Sequence, residues 1–501
     1  MSWRSSEAAR QYHQRTKHSP ASIRSVPHFL DWDNQPIAFK IYRDAAKLPL
    51  PAVSDSHASP GPSAETFSHL LFYSAGITKH LRLAGGGEMP FRAAACTGAL
   101  YHIELYLVTS AVPGLETGVY HYDPREHALD RLRAGDWRAA VVDATGGERA
   151  ASDAAAFLVL TTTYWRNAWK YRARAYRHAF WDGGTLLSNF LAMGASLEVP
   201  SHLVLGFADD AIHRLIDVDP EKESAVAVVA LSGASESTTP ALERSPPPLR
   251  LATVPLSSAE VDYPDIRAMQ KASTLATGPE ARDWREAGPP LTTRHSGFDT
   301  TMRHLDRSST VAADAPELEG VIRKRGSARR FERTAIDYGA LSTILAASTQ
   351  GVSGDALPAQ TTLCDPYVIV NAVDGLPSGA YAFHPRARGL ELLEQGDFRG
   401  RSRFLDLEQD LAGDAAANLY LLVDLKSVLE RYGNRGYRVA QLEGGIIGGR
   451  VYLASYARGL AATGLTFYDD AVTELFSPHA AGKSVMFLVA FGVPARRPVL
   501  F

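Results

Sequence analysis

The sequence predicts an α+β protein built from two tandem copies of one domain. The chain has 501 residues, longer than a single hydrophobic core usually extends, so two domains are expected. The segment GVYHYDPR at residues 118–125 returns as GAYAFHPR at residues 379–386. A period of roughly 260 residues is too long for a solenoid and indicates a duplicated domain. Apolar strand-like runs mix with helical patterns in each copy, which favours an α+β fold.

A second repeated element supports the duplication. Tyr176-Arg177 precedes an Asp-Gly-Gly triplet at residues 182–184, and Tyr437-Arg438 precedes Glu-Gly-Gly at residues 443–445. Apolar residues follow each triplet at helical spacing, which predicts a helix in both copies. The glycine run at residues 444–449 does not match a dinucleotide-binding motif and favours close helix packing. Because a fused duplicate usually mimics a two-fold homodimer, we expect an intramolecular pseudo-dimer.

Composition divides the chain into three parts. We assign residues 1–235 to the N-terminal domain, 236–310 to a linker and connecting arm, and 311–501 to the C-terminal domain. Residues 232–251 are rich in Ser, Thr and Pro, which is typical of a linker. Residues 48–63 are also rich in Pro and Ser, and we expect a surface loop there.

Charge and cysteine content exclude several classes of protein. The net charge is -3 with both signs interspersed, which gives no reason to expect nucleic acid or an anionic membrane. The two cysteines, Cys96 and Cys364, are too few for a disulfide framework or a Cys-rich zinc site, and we expect no metal. The polar N-terminus is not a secretory signal, and no apolar run approaches the ~20 residues that span a bilayer. We therefore expect a cytoplasmic protein.

Two basic groups are candidates for binding a phosphate. Arg325, Ser327 and Arg329 place two guanidiniums and a hydroxyl close together, which suits a phosphate dianion. The alternative is a solvated basic helix end. The first copy has no counterpart, because residues 54–66 contain neither Arg nor Lys. Arg496 and Arg497 follow the last strand and could also reach a phosphate, although basic tails are common.

Two segments of the first copy could face a ligand. A loop of small residues lets the backbone approach a flat ligand, although on spacing alone a tightly packed turn explains it better; its members are Ala95, Cys96, Thr97 and Gly98. Lys170-Tyr171 lies in an aromatic and basic stretch, and burial in a cleft would lower the pKa of the lysine so that it could transfer protons. A surface lysine covering aromatic rings is equally compatible with this pattern.

Taken together, these motifs resemble the SagB/ThcOx-type dehydrogenases, a branch of the FMN-dependent nitroreductase superfamily, in tandem-duplicated form. The resemblance covers nearly the whole chain. It includes the Arg-x-Ser-x-Arg motif from Arg325 to Arg329, the segment GALYHIELY at residues 98–106, and Lys170-Tyr171. Two positions depart from the family pattern, with Cys96 where Ser is usual and His102 where Pro is usual.

The resemblance implies two fused nitroreductase-like domains that hold FMN between them. The second copy would supply the phosphate motif, Arg496, Arg497 and the backbone near the flavin N5, which we assign to Gly464, Thr466 and Phe467. The first copy would supply the small-residue loop and Lys170-Tyr171. The second copy instead carries Arg431-Tyr432 and the sequence TLCDP at residues 362–366 at the matching places. We therefore expect one complete site and one inactive site.

The resemblance also implies a function. We expect an FMN-dependent oxidoreductase that dehydrogenates an azoline-like or other small or peptidic substrate, with Lys170 and Tyr171 handling the proton. Alternatives are a nitro- or quinone-type reductase, and a non-catalytic module that binds flavin or a partner. The chain would act as a monomeric pseudo-dimer or dimerise further.

Overall fold

The computed structural model describes residues 3–25, 28–53, 61–82, 87–232, 245–293, 302–306 and 316–495. The N-terminal half contains eight helices and nine strands within those ranges. The helices are α1 Glu7–Arg15, α2 Pro20–Ser25, α3 Ala64–Ala75, α4 Arg138–Ala144, α5 Arg149–Ser152, α6 Tyr164–Tyr171, α7 Ala175–Ser196 and α8 Asp209–Ile216. The strands are β1 Ala46–Pro49, β2 Ile77–Arg82, β3 Glu88–Arg92, β4 Ile103–Thr109, β5 Gly118–Asp123, β6 Ala128–Ala134, β7 Ala154–Thr163, β8 Ser201–Val204 and β9 Glu223–Ser232.

The C-terminal half repeats this arrangement. Its described helices are α9 Pro264–Ala272, α10 Gly278–Glu286, α11 Leu318–Lys324, α12 Tyr338–Ser348, α13 Arg399–Leu405, α14 Asp410–Asp414, α15 Leu425–Tyr432, α16 Gly436–Ala457 and α17 Asp469–Leu475. Its described strands are β10 Met302–His304, β11 Asp365–Val370, β12 Gly379–His384, β13 Gly389–Gln395, β14 Ala417–Val423, β15 Ala461–Gly464 and β16 Ser484–Gly492.

Each copy is built on a seven-stranded antiparallel sheet with the same strand order. The orders are β1-β6-β5-β4-β7-β9-β8 and β10-β13-β12-β11-β14-β16-β15. The repeated segment seen in the sequence forms β5 in one sheet and β12 in the other, and both glycines that open it pair with the last residue of the neighbouring strand. The central strands are buried along their whole length, as their continuous apolar sequences suggest. The predicted duplication of an α+β domain is confirmed.

The two long helices, α7 and α16, cross where the glycine triplets meet. A Cβ atom on Gly184 would lie 2.5 Å from the backbone nitrogen of Ile446, and one on Gly445 would lie 2.4 Å from the carbonyl oxygen of Trp181. At those distances a methyl group cannot be accommodated without moving the backbone. The second glycine of each triplet is therefore required because the two helix backbones touch there, as the glycine run suggested.

Buried ion pairs also join the two copies. In each pair an arginine of one copy contacts an aspartate of the other, so the two pairs are related by the pseudo-two-fold axis. Arg177 of the first copy places Nη1 2.6 Å from Oδ1 of Asp469 in the second. Arg438 of the second copy places Nη1 2.7 Å from Oδ1 of Asp209 in the first. All four side chains are almost completely buried. The repeated Tyr-Arg pairs therefore hold the two copies together, and because each aspartate is shared by two buried arginines, removing the aspartate would leave both of those charges without it.

The segment predicted as a linker and connecting arm is partly helical. Residues 236–310 include α9, α10 and β10, while residues 233–244 lie outside the described ranges. Helix α9 is the counterpart of α1, because the carbonyl of Gln270 accepts a hydrogen bond from Arg438 as the carbonyl of His13 does from Arg177. The contacts are made by backbone carbonyls, so the two helices need not share residues, and the sequence did not reveal the correspondence. None of the helices in the described ranges combines the length and apolar character needed to cross a membrane. Residues 54–60 of the predicted surface loop are also outside those ranges.

Candidate functional site between the two copies

Hydrogen bonds join the small-residue loop of the first copy to Asp182, the first residue of its Asp-Gly-Gly triplet. Thr97 donates to the Asp182 carboxylate from its backbone nitrogen at 3.0 Å and from Oγ1 at 2.8 Å. Gly98 adopts a left-handed conformation with φ of 64°, and a Cβ there would lie 2.8 Å from the Tyr171 hydroxyl. Only glycine satisfies both conditions, so the loop passes directly against Tyr171.

Both departures from the family pattern converge on the same carboxylate. The Cys96 thiol lies 3.2 Å from Asp182 Oδ2, and His102 Nε2 lies 2.7 Å from the same oxygen. Thr162 Oγ1 contacts the other nitrogen of His102 at 2.8 Å. Burial and the neighbouring carboxylate raise the pKa of the Cys96 thiol, which therefore stays protonated and donates to Asp182. The sequence singled out these two residues separately and did not predict that they share a partner.

The second copy keeps the backbone hydrogen bonds to the acidic residue and a thiol contact, from Cys364 to Glu443. Glu443 accepts hydrogen bonds from the backbone nitrogens of Leu363 at 2.7 Å and Cys364 at 2.6 Å. No imidazole among the described residues takes part, because Leu363 stands 261 positions after His102, the same offset that relates Glu443 to Asp182. Burial raises the pKa of Glu443 to about 7. The acidic residue of the triplet thus has a structural role in both copies and hydrogen-bonds a thiol in both, and only the imidazole is added in the first.

Lys170 and Tyr171 end helix α6 at the edge of this loop. The ring of Tyr171 packs edge-on against His178, with centroids 4.6 Å apart. Burial, with Asp182 and Cys96 nearby, raises the pKa of Tyr171. Lys170 is partly buried, and burial together with the Arg329 guanidinium lowers its pKa. Lys170 Nζ also lies 5.5 Å from the centre of the Tyr171 ring, the packing expected of a lysine that covers aromatic side chains.

Arg329 belongs to the second copy, so the structure brings the predicted halves of the site together. Its motif begins at the end of a helix, since Arg325 is the C-cap of α11, and the residues after it lie beside β15, where Ala328 N donates to Ala462 O at 3.0 Å. Arg329 is exposed and forms no ion pair with any described residue. Ser327 Oγ lies 3.2 Å from the hydroxyl of Tyr452.

Arg325 is used differently from Arg329. It is buried and donates from Nε to the carbonyl of Ala93 and from Nη2 to that of Arg92, each at 2.8 Å. These carbonyls belong to residues two and three positions before the small-residue loop of the first copy. Two N–H groups of Arg325, which the sequence predicted to bind a phosphate, therefore hold the two copies together instead.

The predicted flavin-facing backbone of the second copy lies against the first copy. The ring of Phe467 packs against Trp181 of α7, with centroids 5.9 Å apart. Gly464 donates from its nitrogen to the Tyr452 hydroxyl at 2.6 Å, and Thr466 Oγ1 lies 3.2 Å from His18 Nδ1. The backbone N–H of Thr466 has no partner among the residues that the structure describes. This donor is available to a ligand.

Unpaired polar atoms also line a small cavity behind the loop. Its walls include Ser74, Arg92, Cys96 and Asp182. Within the described part of the chain, Arg92 Nε and Ser74 Oγ are buried without a hydrogen-bond partner. Buried polar groups are normally paired, so these atoms mark a place where a ligand or water would be accommodated.

The predicted basic tail is only partly described. Arg496 and Arg497 lie outside the described residues. The residues just before them run beside the phosphate motif, since Ala495 N donates to the carbonyl of Arg330 at 3.2 Å. Their role stays a prediction.

The equivalent position on the other side of the pseudo-two-fold axis is filled by the chain itself. Trp284 of α10 is fully buried there, packs on Tyr432 with ring centroids 5.2 Å apart, and donates from Nε1 to its carbonyl at 2.9 Å. Asp355 accepts from the backbone nitrogens of Leu205 and Gly206, both at 2.8 Å. Gly206 corresponds to Thr466, so the donor that is available in one site is occupied in the other.

Arg431, the residue opposite Lys170, also closes this second position. Its guanidinium donates to the carbonyls of Trp284 at 3.0 Å and Arg285 at 2.9 Å. Nothing in the sequence pointed to Trp284 or Asp355, because neither belongs to a repeated motif. Asp182 could have been found, since the acidic-Gly-Gly triplet recurs in both copies.

Known proteins similar to this chain agree with the duplicated fold. Residues 58–233 and 322–493, more than half of the chain, each match the Nitroreductase family. A crystal structure of a protein from Anabaena variabilis, named as a nitroreductase, superposes with a TM-score of 0.80 at 27% identity and covers 98% of this chain and 100% of that one. The similarity therefore includes the arrangement of the two copies.

Two curated relatives each match a stretch of this chain about as long as one domain. A protein of Methanocaldococcus jannaschii named as a nitroreductase is 26% identical over 151 residues, 30% of this chain and 72% of the relative. The trifolitoxin-processing protein TfxB of Rhizobium leguminosarum bv. trifolii is 26% identical over 169 residues, 33% of this chain and 45% of TfxB. With a family match in both halves and one strand order in both sheets, the chain belongs to the Nitroreductase family as two of its domains fused in one polypeptide.

Proposed function

We propose that this protein is an FMN-dependent oxidoreductase with one FMN per chain, bound between the small-residue loop of the first copy and the phosphate motif of the second. The observation that carries the proposal is the contrast between the two pseudo-equivalent positions. At one, the Thr466 N–H is available and Gly464 is exposed. At the other, Asp355 occupies the matching N–H and Trp284 fills the space.

The residues at the open position fit such a cofactor. Arg329 and Ser327 would hold the phosphate. Arg325 would add the N–H donors that are not already bonded to backbone carbonyls. The N–H of Thr466 would donate to the flavin ring, and the small-residue loop, at residues 95–98, would let the backbone approach its face. Bound FMN would supply two-electron redox chemistry, and the protein would supply binding, orientation and proton transfer.

Tyr171 and Lys170 are suited to different parts of the proton transfer. The raised pKa of Tyr171 keeps its hydroxyl protonated at neutral pH, so it can donate a hydrogen bond or a proton to a bound substrate. The lowered pKa of Lys170 brings its ammonium closer to the range in which it exchanges protons. Both side chains end α6 beside the loop, and both are partly exposed.

For the substrate we propose an azoline-like ring or another small or peptidic molecule. The relative TfxB is named for processing trifolitoxin, which supports a peptidic substrate. The open position also suits a nitro- or quinone-type reductase, since that chemistry uses the same fold. The pseudo-two-fold junction already supplies both halves of the site, so one chain can act as a monomer.

Counting released flavin tests the proposal. Denaturation of FMN-saturated protein, followed by fluorimetry, is expected to give one FMN per chain, and Arg431→Ala should leave that number unchanged. Close to two per chain would show that the Trp284 position also binds flavin. Protein that stays colourless after incubation with FMN would favour a non-catalytic partner-binding module.

A further inference from the structure

Three metal-ligating side chains meet in the second copy, away from the proposed flavin position. His384 is the last residue of β12, Glu391 lies on β13, and His479 follows α17. His384 Nε2 is 2.8 Å from Glu391 Oε2, and His479 Nε2 is 3.9 Å from the same oxygen. One donor atom from each residue lies within 4.8 Å of the other two.

The first copy has a cation at the corresponding place. Asp123 ends β5 as His384 ends β12, and Asp130 is the third residue of β6 as Glu391 is of β13. Lys47 of β1 reaches between the two aspartates, with Nζ 2.6 Å from Asp123 Oδ2 and 3.4 Å from Asp130 Oδ1. This pair of strand positions therefore holds a positive charge in the first copy.

The second copy has lost that lysine. Lys47 pairs in register with Asp130, and the residue that pairs in the same way with Glu391 is Met302. The Met302 thioether carries no charge, so it cannot replace the positive charge of the Lys47 ammonium. Instead, one carboxylate position has become His384, and a second imidazole, His479, is added from outside the sheet.

We propose that His384, Glu391 and His479 bind a divalent metal ion of the Zn²⁺ class, which takes the place of the lysine ammonium in the first copy. Two imidazoles and a carboxylate form a donor set that zinc commonly takes. Zinc bonds of about 2.0–2.2 Å place tetrahedral ligand atoms about 3.4 Å apart, and the observed separations of 2.8 and 3.9 Å bracket that value. Small movements of the side chains would complete the geometry.

The surroundings orient the ligands and leave access for the ion. Tyr367 places its hydroxyl 2.9 Å from His479 Nδ1, so the tyrosine oxygen can accept a hydrogen bond from Nδ1–H and leave Nε2 for the metal. The nearby Lys483 ammonium is neutralised by Asp365 at 2.8 Å. The side chains of Glu391 and His479 are 25% and 20% exposed, so water can reach the open coordination position.

Isothermal titration with Zn²⁺ on the full-length protein, after removal of metal by a chelator, tests the proposal. We expect one Zn²⁺ per chain, and at least about tenfold weaker binding, or about 1.4 kcal/mol, in both His479→Ala and Glu391→Gln. The matched control is His80→Ala, because His80 has a glutamate 3.5 Å away, Glu88, but no third ligand among the described residues. That variant should bind Zn²⁺ like the unmodified protein.

Several outcomes would overturn the assignment. Absence of binding at micromolar Zn²⁺ would leave His384 and Glu391 as an ordinary ion pair. Binding that survives both substitutions but is lost in Cys96→Ser would place the ion at the Cys96, His102 and Asp182 cluster instead. Glu391→Gln keeps a hydrogen-bonding group for His384, so it carries the test if His479→Ala does not fold. None of these measurements depends on bound flavin, so the result is independent of the proposed function.

Discussion

Replacing Arg329 by alanine tests the proposed phosphate contact with little effect on folding. The side chain is exposed and makes no ion pair with any described residue, so its loss should leave the melting temperature unchanged. A charge-assisted hydrogen bond to phosphate contributes about 1.5–3 kcal/mol. Arg329→Ala should therefore bind FMN about ten- to a hundredfold more weakly, nearer the lower value because solvent screens an exposed charge.

The same substitution has a second expected effect, on Lys170. Burial lowers the pKa of Lys170 most, and the positive charge of Arg329 lowers it further. Removing that charge should raise the pKa of Lys170 towards its ordinary value. If Lys170 transfers a proton in turnover, the limb of the pH–rate profile that reports it moves to higher pH.

Fluorescence quenching on titration with FMN gives the affinity, and steady-state rates across pH at saturating FMN give the profile. The matched control is Arg333→Ala, which removes a nearby exposed arginine that is already paired with Asp414 at 2.6 Å. It should change neither quantity. FMN affinity of Arg329→Ala within twofold of the unmodified protein would refute the assignment of the phosphate motif.

Three further predictions concern turnover, packing and acid stability. Lys170→Ala or Tyr171→Phe should keep a yellow, folded protein but lose at least about tenfold in turnover, and unchanged turnover at full FMN occupancy would remove the pair from the active site. Gly445→Ala should lower the unfolding free energy in urea by about 1–3 kcal/mol, because its Cβ would lie 2.4 Å from a carbonyl oxygen of the facing helix. Gly400→Ala, on a helix with open space around it, should be neutral or slightly stabilising, so equal losses would contradict the packing argument. Burial opposes ionisation of Asp209, but two arginines outweigh it and lower its pKa to about 2. The ionised Asp209 carboxylate therefore stabilises the fold above about pH 4, and this contribution is lost as the carboxylate is protonated and the pH falls towards 2. Urea unfolding from pH 5 downwards should show that loss, and Asp209→Asn should show less of it.

The sequence alone was sufficient for the duplication, the fold class and the family. Those conclusions rest on local patterns, such as the recurring GVYHYDPR-type segment and the Tyr-Arg pair with its acidic-Gly-Gly triplet. Gly184 and Gly445 could be interpreted from the sequence because their close contact with the facing backbone leaves no room for a side chain. The predicted halves of the site could be assigned to different copies because each motif is missing from one of them.

Only the tertiary structure decided which position is open and which is closed. Trp284 and Asp355 fill the second position from segments that repeat no motif, and Arg325 turns out to share its donors with backbone carbonyls. His384 and His479, 95 positions apart in the chain, come together only through strand register and the turn after α17. Such contacts join residues that are distant in sequence and follow no helical or strand period, so no local pattern encodes them. What the sequence determines is the set of elements and their repetition, and what the fold determines is which side chains meet.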